Sequence, residues 1–245
     1  MKKPPAHGFQ TWRTAGSETM KTLLYTLVAV FLSSAAQAED VSVCGPLENP
    51  AYGPLDYRTA TQLQRNLVEH AHFTDEQFTL RKGKTGALGW DIGYTLRAYP
   101  NHPRALLAMQ RLVEKEKKNP ANDAIYTIEC YYERALRFQR DDHVIRMFYV
   151  NFLIGKGQSE TATEQLDYVL QTREDDPYTQ FNAGMLFFDM KNYDRALQQA
   201  HKAMAMGFAK PELRDRLVAV GRWQEPAGAA DAAAPVSAAS AASAP

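Results

Sequence analysis

The apolar residues between positions 143 and 210 recur every three or four positions, which places them on one face of a helix. Residues 177–210 contain two such runs, separated by the polar pair Lys191-Asn192. Residues 143–176 contain two more, separated by a turn with glycine at 155 and 157. This pattern predicts pairs of helices joined by short turns, and hence an all-α fold.

Residues of similar type also recur at intervals of 34 positions in this part of the chain. Ala162 lies 34 positions before Ala196, and Leu153 lies 34 positions before Phe187. A fixed period of this length is typical of stacked helical repeats, and small residues allow paired helices to approach closely. We therefore predict three repeats and a final capping helix. Their expected boundaries are 103–142, 143–176 and 177–210 for the repeats and 211–223 for the cap.

The last repeat resembles the tetratricopeptide repeat family. Gly184 stands where that family has a glycine in its first helix, Ala196 follows the turn, and Lys202-Ala203 and Pro211 complete the match. The middle repeat has Val150 at the glycine position and matches less closely. The resemblance implies an α-solenoid of about three repeats. The repeat architecture, together with the lack of catalytic motifs in the sequence, favours a non-enzymatic exported scaffold that binds another envelope protein or peptide on its concave face.

The N-terminal part of the chain has the pattern of a secretory signal. A lysine precedes an apolar stretch at 23–36, and Ala36-Gln37-Ala38 forms a cleavage site before acidic residues. The apolar stretch has 14 residues, which is too short to span about 30 Å of hydrocarbon comfortably. We therefore expect residues 1–38 to be removed after Ala38, with Met20 as the alternative translation start. The mature protein is then expected to be periplasmic, without an integral membrane span.

The sequence has two cysteines, Cys44 and Cys130. In an oxidising compartment they can form one disulfide, and the alternative is two buried, unpaired thiols. A redox role requires a C-x-x-C pair or a neighbouring resolving thiol, and the sequence has neither. We therefore expect a structural bridge between the N-terminal part of the chain and the first repeat.

The regions outside the repeats carry weaker patterns. Residues 39–102 begin with several prolines and glycines, which predicts an irregular extension with short helices. Residues 224–245 consist mainly of Ala, Ser and Pro, which predicts a disordered tail. Residues 1–38 hold 4 of the 28 basic and 1 of the 28 acidic residues, so 24 basic and 27 acidic residues remain without them. The resulting net charge of −3 gives no electrostatic footprint for nucleic acid.

Two histidines are weak candidates for a metal site. On a strand, His70 and His72 would point the same way and could share Zn²⁺ or Cu²⁺, but the sequence places no third or fourth ligand. The alternative is a surface or capping pair. Because G-x-S-x-G, H-E-x-x-H and a complete phosphate loop are all missing from the sequence, we expect no enzyme activity and no cofactor. A small-molecule or metal-binding periplasmic protein that uses residues 44–102 is the alternative function.

Candidate partner-binding residues lie on the predicted first helices of the repeats. In tetratricopeptide proteins that bind a partner's C-terminal carboxylate, these helices supply Asn and basic side chains. Asn151, Asn182 and Arg216 stand at corresponding positions here, whereas Met147 and Glu212 occupy positions where that pattern has lysines. The alternative is a general groove for a protein or peptide of the cell envelope. Its further lining residues would be Tyr178, Met185 and Phe188.

Overall fold

The structure, a computed structural model, describes residues 43–49 and 51–226. These residues form ten α-helices and no β-strand, so the all-α prediction is confirmed for this part of the chain. None of these helices is both long enough and apolar enough to cross a membrane. The predicted signal peptide at 1–38 and residues 227–245 of the predicted tail lie outside the described residues. The helices are α1 (Gln62–His72), α2 (Asp75–Phe78), α3 (Leu88–Ala98), α4 (Pro103–Glu116), α5 (Ile128–Phe138), α6 (His143–Gly155), α7 (Ser159–Thr172), α8 (Pro177–Asp189), α9 (Tyr193–Ala205) and α10 (Pro211–Ala219).

The helices from α6 onward are stacked in pairs. Helices α6 and α7 pack as one pair, α8 and α9 pack as the next, and α10 packs against both members of the second pair. We call α4, α6, α8 and α10 the leading helices, because each begins a predicted repeat or the cap. Each leading helix contacts the next one along the chain. A single hydrophobic core runs through the stack from Phe73 to Leu217, as expected for a helical solenoid.

Small residues let the paired helices approach closely. Ala162 on α7 and Ala196 on α9 are fully buried. A Cβ atom added to Gly184 of α8 would lie 3.3 Å from the carbonyl oxygen of Ala196 and 2.4 Å from Cδ2 of Leu213 on α10. Position 184 is therefore the point where three helices meet, and a larger side chain there would push them apart.

Side-chain caps set where two of the leading helices begin. The Asp142 carboxylate accepts a hydrogen bond from the Ile145 N–H at 3.1 Å, and the Asp176 carboxylate accepts one from the Tyr178 N–H at 3.2 Å. These bonds satisfy backbone donors that have no partner within the helix. Proline occupies the first turn of α4, α8 and α10, where no helical hydrogen bond is lost. Acidic residues thus recur at the repeat boundaries because they cap helices.

A buried amide joins the N-terminal segment to the repeats. Asn101 is only 1 % exposed, and its side-chain oxygen accepts a hydrogen bond from the Tyr57 N–H at 3.0 Å. Its nitrogen donates to the carboxylates of Asp56, at 2.7 Å, and Asp142, at 2.9 Å. Asp56 also pairs with Arg58 at 2.8 Å. The turn before α4 therefore holds the N-terminal segment against the cap of α6.

The two cysteines are bridged, so the predicted disulfide is confirmed. The Cα atoms of Cys44 and Cys130 lie 5.1 Å apart. Arg134 on α5, which is fully buried, donates a hydrogen bond to the Cys44 carbonyl at 3.0 Å. Arg137, one turn later, donates to the Gly45 carbonyl at 2.5 Å. The segment 43–49 is therefore attached to α5 by a covalent bond and by two buried or half-buried guanidinium groups.

Candidate functional site

A groove lies between the leading helices α6 and α8, and we call it the leading-helix groove. It contains a cavity of about 260 Å³. Each helix presents side chains spaced one, three or four positions apart, so they share one helix face. The helical part of the lining consists of His143, Val144, Met147 and Phe148 from α6 and Tyr178, Thr179 and Asn182 from α8.

The rim of the leading-helix groove exposes large apolar side chains to solvent. Val144 is 58 % exposed and Tyr178 is 62 % exposed, and they stand on opposite walls. Met147 and Phe148 are half-buried and pack against the core beneath them. The Tyr178 ring is held by Phe208, with ring centroids 4.4 Å apart. Apolar side chains that flank a cavity in this way are typical of a surface that receives a ligand or a partner.

One end of the groove is polar, because the turn before α8 lies there. Asp176 accepts a hydrogen bond from Oγ1 of Thr179 at 2.7 Å and pairs with Arg173 at 3.7 Å. His143 lines the same end. Burial lowers the pKa of the His143 ring, and the positive charge of Arg173 lowers it further. At this end a bound segment would therefore meet a neutral imidazole and the ion pair between Arg173 and Asp176.

Of the predicted partner-binding residues, Tyr178 and Asn182 line the cavity. Asn182 is exposed, so its amide is available for hydrogen bonds to a bound chain. Asn151 is also exposed, on the last turns of α6, and is not among the residues that line this cavity. The structure therefore places one of the two predicted asparagines in the groove.

Met185, Phe188 and Arg216 form a second cluster, where α8 meets α10. The Arg216 guanidinium lies 4.1 Å from the centroid of the Phe188 ring, and Nη1 lies 3.8 Å from Sδ of Met185. Arg216 also pairs with Asp189 on α8. Because Asp189 already neutralises this guanidinium, Arg216 does not present a free charge to a terminal carboxylate.

The two candidate metal-binding histidines lie on the last turn of α1. Residues two positions apart on a helix are separated by about 200° around its axis, so His70 and His72 point to different sides. The strand geometry that would have paired them does not occur here. His70 is exposed, whereas Nδ1 of His72 lies 3.0 Å from Oδ1 of Asp91.

His72 belongs to a polar cluster that holds the turn before α3. Its ring stacks on Tyr94 with centroids 4.0 Å apart, and Oγ1 of Thr85 lies 3.2 Å from Nδ1. Thr85 also donates to the Asp91 oxygen that faces Nδ1. Because the hydroxyl and the carboxylate meet at the same ring nitrogen, the imidazole cannot relay a proton between them as a catalytic triad does. These contacts position a loop.

Metal-ligand chemistry converges at one further place in the described part of the chain. One ligand atom each from Cys44, Cys130 and Glu133 lie within 4.8 Å of one another. Both sulfur atoms belong to the disulfide, so neither is a thiolate that could bind a metal. The cluster is therefore part of the structural bridge.

A second cavity, among α5, α6 and α7, was not predicted. Its volume is about 460 Å³, and three arginines line it: Arg137, Arg140 and Arg146. The sequence does carry a signal for it, because Arg146 is the only charged residue among the apolar and aromatic residues at 144–150.

Comparison with known proteins gives no relative, because no family model, no curated protein and no solved structure matches this chain.

Proposed function

We propose that this chain is a non-enzymatic scaffold of the tetratricopeptide type, exported to the periplasm, that binds an extended segment of another envelope protein in the leading-helix groove. The observation that carries the proposal is the cavity between α6 and α8, with exposed apolar side chains on both of its walls. A segment that places an apolar side chain in the cavity would remove Val144 and Tyr178 from water.

The assignment to the tetratricopeptide type is supported by contacts that recur after 34 positions. Arg146 donates a hydrogen bond to the carbonyl of Arg140, and Gln180 donates one to the carbonyl of Glu174, both at 2.9 Å. The two donor residues are 34 positions apart, and so are the two acceptor residues. Ala162 and Ala196, which are both fully buried, are also 34 positions apart. The same spacing separates Asp142 and Asp176, which cap α6 and α8. Successive pairs thus repeat a three-dimensional unit as well as a sequence pattern.

Two observations are compatible with export. Cys44 and Cys130 are joined, as expected for a protein that folds in an oxidising compartment. The described helices include none that could cross a membrane. The sequence pattern that ends at Ala38 would supply the route out of the cytoplasm.

Panning a random peptide phage library against the folded, oxidised protein tests the proposed groove. We expect it to enrich peptides with a large apolar residue. Fluorescence anisotropy with an enriched peptide should show at least tenfold weaker binding to Asn182→Glu, because a charge would be desolvated beside the bound apolar group. Gln198→Glu, which also replaces an amide by a carboxylate at an exposed position on α9, is the control and should bind normally.

Two results would refute the proposed groove. One is a failure to enrich any peptide that binds saturably. The other is equal binding by Asn182→Glu and Gln198→Glu, which would place the contact elsewhere on the molecule.

A further inference from the structure

The second cavity lies on the opposite side of α6 from the leading-helix groove. Val144 and Met147 of α6 face the groove, whereas Arg146 and Tyr149 face the second cavity. We call this cavity the arginine pocket. Its volume of about 460 Å³ falls within the range of about 300–1,000 Å³ that is usual for small-molecule sites. The polar and aromatic side chains that line it include Arg137, Arg140, Arg146, Tyr149, Gln165 and Tyr168.

The arginine pocket has an excess of positive charge. Three arginines and one carboxylate, that of Glu133, line it, which leaves a net charge of +2. Glu133 pairs with Arg137 at 3.7 Å. Among the described residues, no carboxylate pairs with Arg140 or with Arg146. Two guanidinium groups in the pocket therefore lack a counter-ion within the described part of the chain.

Arg146 is the buried member of this set. It is 8 % exposed, and its guanidinium lies 4.1 Å from the centroid of the Tyr168 ring. It donates to the side-chain oxygen of Gln165 and to the Arg140 carbonyl, while the buried Nε has no hydrogen-bond partner. Burial lowers the pKa of this guanidinium below its ordinary value. A buried cation without an anion is unfavourable, and an anionic ligand would remove that cost.

The next repeat shows that the fold does not require a charge at this position. Gln180 stands 34 positions after Arg146 and makes the same hydrogen bond, to the Glu174 carbonyl at 2.9 Å. Likewise, Gln199 stands 34 positions after Gln165 and is buried. A neutral glutamine, Gln180, therefore makes this hydrogen bond in one repeat, and Arg146 makes it in the other. The positive charge of Arg146 needs a different explanation.

We propose that the arginine pocket binds a phosphate monoester, whose two negative charges match the net charge of +2 on the lining. Planar guanidinium groups form paired hydrogen bonds to phosphate oxygens, which favours arginine over lysine in such sites. Tyr149 and Tyr168 flank the space that the rest of the ligand would occupy. This site is independent of the leading-helix groove and adds a small-ligand function to the scaffold.

Isothermal titration of the oxidised mature protein with phenyl phosphate tests the site. Chloride should keep the ionic strength constant, because charge pairing is sensitive to salt. We expect saturable binding to the wild type and at least tenfold weaker binding to Arg146→Gln, which places at position 146 the glutamine found at the equivalent position 180. Arg214→Gln removes an exposed arginine on α10, outside the pocket, and should bind as the wild type does.

A second variant covers the case in which Arg146→Gln does not fold. Arg140→Gln changes an exposed side chain and should weaken binding several-fold without lowering the melting temperature. Vesicles that contain phosphatidic acid, compared with phosphatidylcholine alone, distinguish a lipid headgroup from a free phosphate ester. Binding in either arm that depends on Arg140 supports the site. Absence of binding in both arms, or equal binding by Arg140→Gln and Arg214→Gln, would overturn it.

Discussion

His102 links protonation to the fold through two hydrogen bonds. The side chain is fully buried at the start of α4, where Nδ1 accepts a hydrogen bond from the Ala105 N–H at 3.4 Å. Nε2 lies 3.2 Å from Oε1 of Glu69, and the Tyr57 hydroxyl donates to the same oxygen at 2.7 Å. Burial lowers the pKa of His102, and the hydrogen bond from His102 lowers the pKa of Glu69. The neutral ring with its proton on Nε2 satisfies both contacts.

We expect mild acid to destabilise the protein through this pair. An unfolded histidine takes up its proton near pH 6.5, whereas the folded ring resists protonation, so stability is lost as the pH falls below that value. Glu69 adds a second loss below its ordinary pKa of 4.5. The melting temperature should fall between about pH 7.5 and about pH 5.5. His102→Asn keeps a capping side chain and should show a smaller fall over this interval.

The matched control for this pH experiment is another histidine. His201→Asn changes a half-buried ring on α9 that contacts Trp223 and the Gln224 carbonyl. It leaves His102 and Glu69 in place, so the pH dependence that comes from this pair should remain. An unchanged pH dependence in His102→Asn would show that the buried pair does not control acid stability.

Single-residue roles were only partly predictable from the sequence. Helical periodicity places Asn182 and Tyr178 on the same face of α8, and both do line the groove. The pairing of Arg216 with Asp189 depends on how α10 crosses α8, and no local pattern encodes that crossing. Likewise, His72 meets Asp91 only after the chain turns between α1 and α3. Contacts within one helix could be predicted, whereas contacts between elements could not.

At the scale of the helices, a substitution at Gly184 tests whether the surrounding helices are closely packed. We expect Gly184→Val to lower the free energy of unfolding by about 2 kcal/mol, because the new methyl groups would meet Leu213 and the Ala196 carbonyl. Gly155→Ala at the end of α6 has no atom within 4 Å of the added Cβ and should be neutral or stabilise by up to about 1 kcal/mol. Urea denaturation measures both. Equal effects of the two substitutions would show that the helices are not tightly packed at position 184.

The sequence predicts a helix well where the periodic apolar pattern extends over many residues. It predicts the end of a helix less well where contacts made by the following loop determine that end. The capping box at Thr74 marks the start of α2, where the Gln77 side-chain oxygen accepts a hydrogen bond from the Thr74 N–H at 2.8 Å. The Thr74-Asp75-Glu76-Gln77 spacing predicts a helix that ends near Gly83, but α2 ends at Phe78, because Leu80 takes a left-handed conformation with φ of 57°. A positive φ at leucine is imposed by surrounding contacts and cannot be inferred from composition.

At the scale of the whole molecule, the disulfide connects segments that are far apart in the sequence. Cys44 and Cys130 are separated by 86 positions. Closing a loop of this size restricts the unfolded chain, so reduction should lower the free energy of unfolding by about 2–4 kcal/mol. The measurement is urea denaturation with and without dithiothreitol, with Cys44→Ser/Cys130→Ser as the permanently open form. The same denaturation midpoint in all three samples would contradict this role.

The overall architecture follows from the repeat pattern, whereas the attachment of the N-terminal segment does not. The period of 34 positions and the helical spacing predict stacked helix pairs, and the structure has them. The side-chain amide of Asn101 donates hydrogen bonds to both Asp56 and Asp142. The sequence does not predict these contacts, because they depend on the relative positions of three separate turns. Residues 39–102 were expected to be a partly irregular extension, and their described part shares the core of the stack through Phe73, Ile92 and Leu96.

Site-specific photo-crosslinking in cells tests the central proposal most directly. A photoreactive amino acid at Asn182 lies in the leading-helix groove, and one at Gln198 lies on the exposed surface of α9. We predict that Asn182 gives a discrete crosslinked envelope protein, that Gln198 does not, and that the Val144→Glu exchange abolishes the product. A product of equal yield from both positions, or no product from Asn182, would contradict the groove as the binding site.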